Sequence, residues 1–138
     1  MDYITAIISR YEVDLQSVKE DGYGALYFVK EQTPELCLTA VKQNGWDLEY
    51  VKEQTPELCL EAVKKDAFAL RFVKDQTYEL CLAALEINPW CFQYIKKMSK
   101  EMWRLAVKKD SRILYEIKDI ELKLQLTREI TNEFNGLL

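Results

Sequence analysis

Residues 29–38 read VKEQTPELCL, and residues 51–60 read VKEQTPELCL again, letter for letter. Shifting the chain against itself by 22 positions extends this identity into four aligned copies. They are TPELCLTAVKQNGWDLEYVKEQ at 33–54, TPELCLEAVKKDAFALRFVKDQ at 55–76, TYELCLAALEINPWCFQYIKKM at 77–98 and SKEMWRLAVKKDSRILYEIKDI at 99–120. RYEVDLQSVKEDGYGALYFVKEQ at 10–32 joins them once a single extra residue is allowed near Gly24. The ten-residue duplicate therefore spans the joint between two copies of one unit. Self-similarity at a short fixed period is the sequence mark of a repeat architecture.

Each copy starts two helices. Thr33, Thr55, Thr77 and Ser99 occupy one row, with Pro34 and Pro56 directly after the first two. A hydroxyl there accepts from the free N–H groups of a first helical turn, and proline in that turn gives up no hydrogen bond. Asn44, Asp66, Asn88 and Asp110 form a second row of good N-caps, followed by Gly45, Ala67, Pro89 and Ser111. Two cap rows in each copy predict two short helices, over 34–43 and 45–53 in the copy that begins at Thr33.

The apolar positions agree with this division. At ~100° per residue, Leu36, Cys37, Leu38, Ala40 and Val41 cover most of the first helix, leaving a narrow face to Glu35, Thr39 and Lys42. A helix that apolar packs between neighbours. In the second helix Leu48 and Val51 form one stripe, with Trp46 and Tyr50 nearly opposite. Stacked helix pairs of this kind make an α-solenoid.

The expected fold is all-α: a solenoid of about five helix pairs in one domain over 1–138, with units at 10–32, 33–54, 55–76, 77–98 and 99–120. Apolar Ile4, Ile7 and Ile8 predict an N-terminal cap helix within 1–9. A C-terminal cap helix is expected over 121–138, where Leu124 and Leu126 fall on the Leu36 and Leu38 positions. Arg128 and Glu129 then replace the buried Ala-Val pair, giving that cap a polar outer face. A leucine-rich repeat can share the period, but its buried strand would have to carry Thr39, Glu61 and Ala83, which excludes it.

Composition fits a folded chain. Of 138 residues 49% are hydrophobic and 30% charged, and no apolar run approaches the roughly 20 residues that span a bilayer. The opening MDYITAIISRYEVD carries acids where a secretory leader wants lysines, so a cytoplasmic chain without a membrane segment is expected. Cys37, Cys59, Cys81 and Cys91 then stay reduced, and three of them sit in one row of the repeat. There is no C-x-x-C pair and no histidine, so neither a metal site nor a disulfide framework is expected; the thiols read as core. The net charge of −4, from 19 basic and 23 acidic residues, argues against nucleic-acid binding driven by bulk charge.

The stretches AVKQNGWDLEYVKEQTPELCL and LEAVKKDAFALRFVKDQTYELCL resemble a helical-repeat family catalogued only as a domain of unknown function, found in giant viruses and some bacteria as tandem arrays. The resemblance covers about residues 18–98. It implies a helical repeat and leaves room for a viral origin, and it carries no activity, cofactor or catalytic residue.

Function is narrowed by what chemistry would require. With no histidine and no phosphate-cradling G-x-x-x-x-G-K, no enzyme and no cofactor is expected. Glu35, Glu57, Glu79 and Glu101 recur at one helix-start position, where they favour the positive end of the helix dipole. Lys30, Lys52, Lys74, Lys96 and Lys118 would climb the solenoid as a ribbon, but acids follow four of them, so a solvated ladder is expected rather than an RNA track.

Two aromatic rows remain, open to reading as core or as exposed anchors: Trp46, Phe68 and Trp90, then Tyr50, Phe72 and Tyr94, extended by Tyr23 and Phe28. Between them the positions Asp47, Ala69, Cys91 and Ile113, and Glu49, Arg71, Gln93 and Tyr115, change from copy to copy. Fixed framework beside variable positions is what a recognition surface on a repeat shows. The expected function is a non-catalytic protein-binding module whose partner meets Trp46, Glu49, Phe68, Arg71, Trp90 and Gln93. The alternative is a small virus-encoded inhibitor that blocks a host defence enzyme such as a nuclease.

Overall fold

The computed structural model describes residues 2–20 and 22–136, and the side chains of these apart from those at 8, 9 and 11–14. Among the described residues every element is helical and no strand occurs. The α-helices are α1 (Tyr3–Glu20), α2 (Ala25–Phe28), α3 (Pro34–Gln43), α4 (Pro56–Lys65), α5 (Tyr78–Ile87), α6 (Lys100–Lys109) and α7 (Ile120–Gly136). Short 3₁₀ helices follow four of them: η1 (Gly45–Tyr50), η2 (Ala67–Phe72), η3 (Pro89–Tyr94) and η4 (Ser111–Tyr115). Helix α3 packs on α4, α4 on α5 and α5 on α6, while η1 packs on η2 and η2 on η3.

Both cap rows act as the side-chain chemistry requires. Thr33, Thr55, Thr77 and Ser99 accept from the backbone N–H of Leu36, Leu58, Leu80 and Met102 at 3.2–3.3 Å. Asn44, Asp66, Asn88 and Asp110 accept through Oδ1 from Trp46, Phe68, Trp90 and Arg112 at 2.9–3.1 Å. Each cap satisfies an N–H that its own helix leaves free.

In the copies from Thr33 onward the second helix differs from its expected form. It is 3₁₀ rather than α, and η1 ends at Tyr50, where Val51 turns to extended backbone with ψ 118°. At three residues per turn, positions i and i+3 eclipse. Gly45, Leu48 and Val51 therefore share the core face, Asp47 and Tyr50 a second face, and Trp46 and Glu49 the third. Leu48, Leu70, Val51 and Val73 are buried accordingly.

This geometry corrects one expectation. Asp47, Ala69, Cys91 and Ile113 are not free surface positions; all four are buried. Their variation is packing, with Asp47 satisfied by the Gly24 N–H, which donates to its Oδ1 at 2.6 Å. The chain also approaches closely at Gly45, where a Cβ would stand 2.4 Å from the carbonyl oxygen of Ala62.

The buried apolar residues, from Val18 to Leu126, form one core cluster. Leu36, Cys37, Ala40 and Val41 of α3 are buried, as are Leu58, Cys59, Ala62 and Val63 of α4, and Leu38 is half-buried. All four cysteines are buried thiols. Among the described residues no group of three or more His, Cys, Asp or Glu side chains could hold a metal ion, and no helix is long and apolar enough to cross a membrane.

Glutamines pin successive copies together. The Nε2 of Gln54 donates to the carbonyls of Leu48 at 3.2 Å and Phe72 at 2.9 Å, and its Oε1 accepts the Lys74 N–H at 3.0 Å. Gln32 and Gln76 repeat the pattern. The Phe72 carbonyl closes η2 and the Lys74 N–H lies just beyond it, while the Leu48 carbonyl also accepts the Val51 N–H at 3.3 Å. The lysine row stands beside these glutamines. The ammonium of Lys52 donates to the Lys30 carbonyl at 2.8 Å, Lys74 to Lys52 at 2.9 Å, and Lys96 to Lys74 at 2.7 Å. These lysines are exposed, yet each ties one copy to the one before it.

The two ends depart from expectation. Helix α1 runs unbroken from Tyr3 to Glu20, through the boundary placed at Arg10. Ile4 and Ile7 are exposed, and Ile8 lies outside the described side chains. At the other end Glu129 faces α6 rather than solvent, pairing with Lys100 at 2.8 Å and with Arg104. Glu133 continues the seam to Arg104 and Lys108. The polar outer side of α7 falls instead to residues such as Arg128, which is exposed.

Candidate functional site

Helices η1, η2 and η3 pack on one another in succession and carry the expected residues. Their third face places Trp46 beside Glu49, Phe68 beside Arg71, and Trp90 beside Gln93 in η1, η2 and η3. The three rings are half-buried, whereas Glu49, Arg71 and Gln93 are exposed, as is Tyr115 in η4. The outward line thus carries a carboxylate, a guanidinium, an amide and a phenol in chain order.

Beneath that line the rings interlock between copies. Trp46 meets Phe72 edge-on at 5.7 Å between centroids, and Phe68 meets Tyr94 at 5.9 Å in the same way. Tyr23 takes the corresponding place against Tyr50 at 5.5 Å. Trp90 instead meets Phe92 at 6.0 Å, and Phe92 meets Trp103 of α6 at 5.2 Å. Edge-on pairs of this spacing are the favoured geometry for aromatic quadrupoles. Phe28 does not continue the ledge in this manner: it is 80% exposed and touches Tyr27.

The indole N–H groups are used inside the molecule. Trp46 Nε1 donates to Asp66 Oδ2 at 2.7 Å, and Trp90 Nε1 to Asp110 Oδ2 at 2.9 Å. Trp46, Phe68 and Trp90 are consequently part of the scaffold as well as of its surface. The variable contribution comes from the exposed line.

Arg71 has the most elaborate setting in that line. Its guanidinium carbon lies 5.6 Å from the Trp46 ring, 5.1 Å from Phe72 and 5.3 Å from Tyr94. Arg112 lies 5.7 Å over Trp90, but its guanidinium is tied to both carboxylate oxygens of Asp110. That bond, followed by the Trp90 indole, holds the Asp110 carboxyl well below the usual carboxylate range. Glu49 accepts the Tyr23 hydroxyl at 2.8 Å, and Gln93 donates to the Trp90 carbonyl at 3.1 Å. The hydrogen bonds to Tyr50 and to Glu49 push the Tyr23 phenol up.

The arrangement offers exposed ring surface and directed polar groups.

The fold's middle section, residues 33–76, matches the model of a family described as a domain of unknown function (DUF4116), and this match spans α3, η1, α4 and η2. No curated protein matches the chain, and no solved structure does.

Proposed function

We propose that the chain is an α-solenoid built on the 22-residue unit, and that it acts as a non-catalytic protein-binding module through the side formed by its 3₁₀ helices. The observation that carries this reading is the exposed line Glu49, Arg71, Gln93 and Tyr115 standing on a ledge of half-buried rings. Packing accounts for the rings. It does not account for four chemically different groups at corresponding exposed positions. A scaffold in which neighbours mainly contact each other can vary such a line without disturbing its core. Trp, Tyr and Arg are also the residues richest in interface energy.

Affinity capture from an extract of the source organism tests the proposal, with Glu49→Lys, Arg71→Glu and Gln93→Lys as variants of the line. Glu57→Lys serves as a control, exposed at the start of α4. A protein retained by the parent and the control but lost from the line variants is expected. Equal retention by every variant would move the interface to the α-helical side, where Thr39, Glu61 and Ala83 stand half-buried.

A further inference from the structure

Resting on the binding face proposed above, we infer that Arg71 is the docking point for a partner's carboxylate group, presented beside an apolar side chain. Three rings surround the Arg71 guanidinium at 5.1–5.6 Å while the side chain stays exposed. It makes no hydrogen bond or ion pair with any described residue. Arg112, also on this ledge, is neutralised by Asp110, Arg104 is spent on Glu129 and Glu133, and the Lys123 ammonium stands over the Tyr115 ring at 5.3 Å, at the far end of the line. Arg71 therefore holds a full charge, already ordered, with no counter-ion built for it.

The chemistry of that group names what it takes. A guanidinium presents planar N–H donors in a fixed fork that matches a carboxylate through two parallel hydrogen bonds. Ring contacts limit its rotation before anything binds, so less ordering entropy is lost on docking. Trp46, Phe72 and Tyr94 also leave ring surface around the charge, which favours an apolar neighbour on the partner. A polyanion fits less well. The corresponding exposed position 22 residues earlier is Glu49, and 22 residues later it is the neutral Gln93. Nucleic-acid binding draws its strength from neutralising many phosphates. From Glu49 to Gln93 this line carries one cation, with an acid on one flank.

The full chain, ¹⁵N-labelled, tests this with three probes: acetyl-leucyl-glutamate amide, its glutamine analogue and its phosphoserine analogue. The Arg71 Nε–H and the Trp46 indole N–H report on the site. The glutamate probe is expected to shift both resonances saturably, with the glutamine analogue about tenfold weaker or worse, the worth of a charge-assisted bond. Arg71→Gln should abolish the response, and Arg71→Lys, which keeps the charge without the fork, should weaken it. Unchanged circular dichroism of both variants keeps the comparison meaningful.

Absence of a saturable shift with the glutamate probe, or an equal shift with glutamine, overturns the inference. Phosphoserine binding more than about tenfold tighter than glutamate reassigns the site to a phosphoryl group and overturns it too. The two proposals fail differently. A partner weakened by Glu49→Lys and Gln93→Lys but indifferent to Arg71→Gln removes the carboxylate and leaves the face. A partner indifferent to all three removes the face.

Discussion

The indole N–H of Trp46 donates to Oδ2 of Asp66 at 2.7 Å, while Oδ1 of the same carboxylate caps η2 through the Phe68 N–H at 2.9 Å. Trp90 and Asp110 repeat the relationship, with Arg112 as the capped residue. One side chain must accept twice in different directions. Aspartate has two acceptor oxygens, whereas asparagine has one oxygen and an NH₂ that would face the indole N–H. The chain pairs accordingly. Trp46 precedes Asp66 and Trp90 precedes Asp110, while Phe68 and Tyr23 precede Asn88 and Asn44.

This pairing predicts a coupling. Asp66→Asn keeps the cap but confronts two donors, and should cost about 1–2 kcal/mol. Trp46→Phe made in the Asp66→Asn background should cost less than Trp46→Phe alone. Urea unfolding of the parent, both single variants and the double variant measures this, with a coupling of about 1 kcal/mol expected. Strict additivity would contradict the pairing.

The glutamine pins predict a loss that surface chemistry alone would not suggest. Gln54→Leu strands the Phe72 carbonyl and the Lys74 N–H and leaves the Leu48 carbonyl with the Val51 N–H alone, so stability should fall by about 1–3 kcal/mol. Gln93→Leu, at an exposed position, should stay within about 0.5 kcal/mol of the parent. Equal effects in urea denaturation would mean that the Gln54 bonds contribute nothing.

How much of this is legible in the sequence depends on whether the signal is local. Thr33 and Asn44 announce their helices because a cap acts within three residues of itself, and the structure follows both rows. The Leu48 and Val51 pair fits a period of 3.0 as well as 3.6 over so short a segment, so the 3₁₀ geometry stays hidden. With it stays the inward turn of Asp47. Gln54 and Lys74 read as surface residues because their partners are backbone groups 18 to 22 residues away, which no side-chain pattern records. Of the candidate site, the residues that gather on one side were visible from their spacing. The three-ring setting of Arg71 was not, since it draws on η1, η2 and η3 together.

Buried thiols predict slow chemistry. Burial pushes the Cys91 thiol up to about 12 and raises Cys37, Cys59 and Cys81 as well. A thiol reagent should therefore react slowly with the folded chain and rapidly in denaturant, because the thiolate is the nucleophile. In the same core, Leu58→Ala should cost about 2–5 kcal/mol by thermal or urea unfolding. Rapid labelling of the native protein, or a Leu58→Ala loss below about 0.5 kcal/mol, would place these faces outward.

Acid should weaken the Asp110 contact in a defined direction. Arg112, then Trp90, hold this carboxyl below its unfolded value, so its contribution is present above about pH 4 and fades as pH falls toward the folded value. Asp110→Asn should accordingly be less stable than the parent at neutral pH, with the gap closing below about pH 4. Asp47 has the opposite sign, because burial raises it and protonation favours the fold, but it cancels between the two proteins. A gap independent of pH would show that the Asp110 charge is not what stabilises.

The most direct test of the binding face is Arg71→Glu, measured for stability and for partner binding in the same preparation. Losing an exposed cation–π contact costs about 0.5–1 kcal/mol, so the melting curve should move little. Partner affinity should fall more than about tenfold, as it does when an interface arginine is reversed in charge. A variant that melts like the parent and still binds with undiminished affinity would contradict the account and remove this face from recognition.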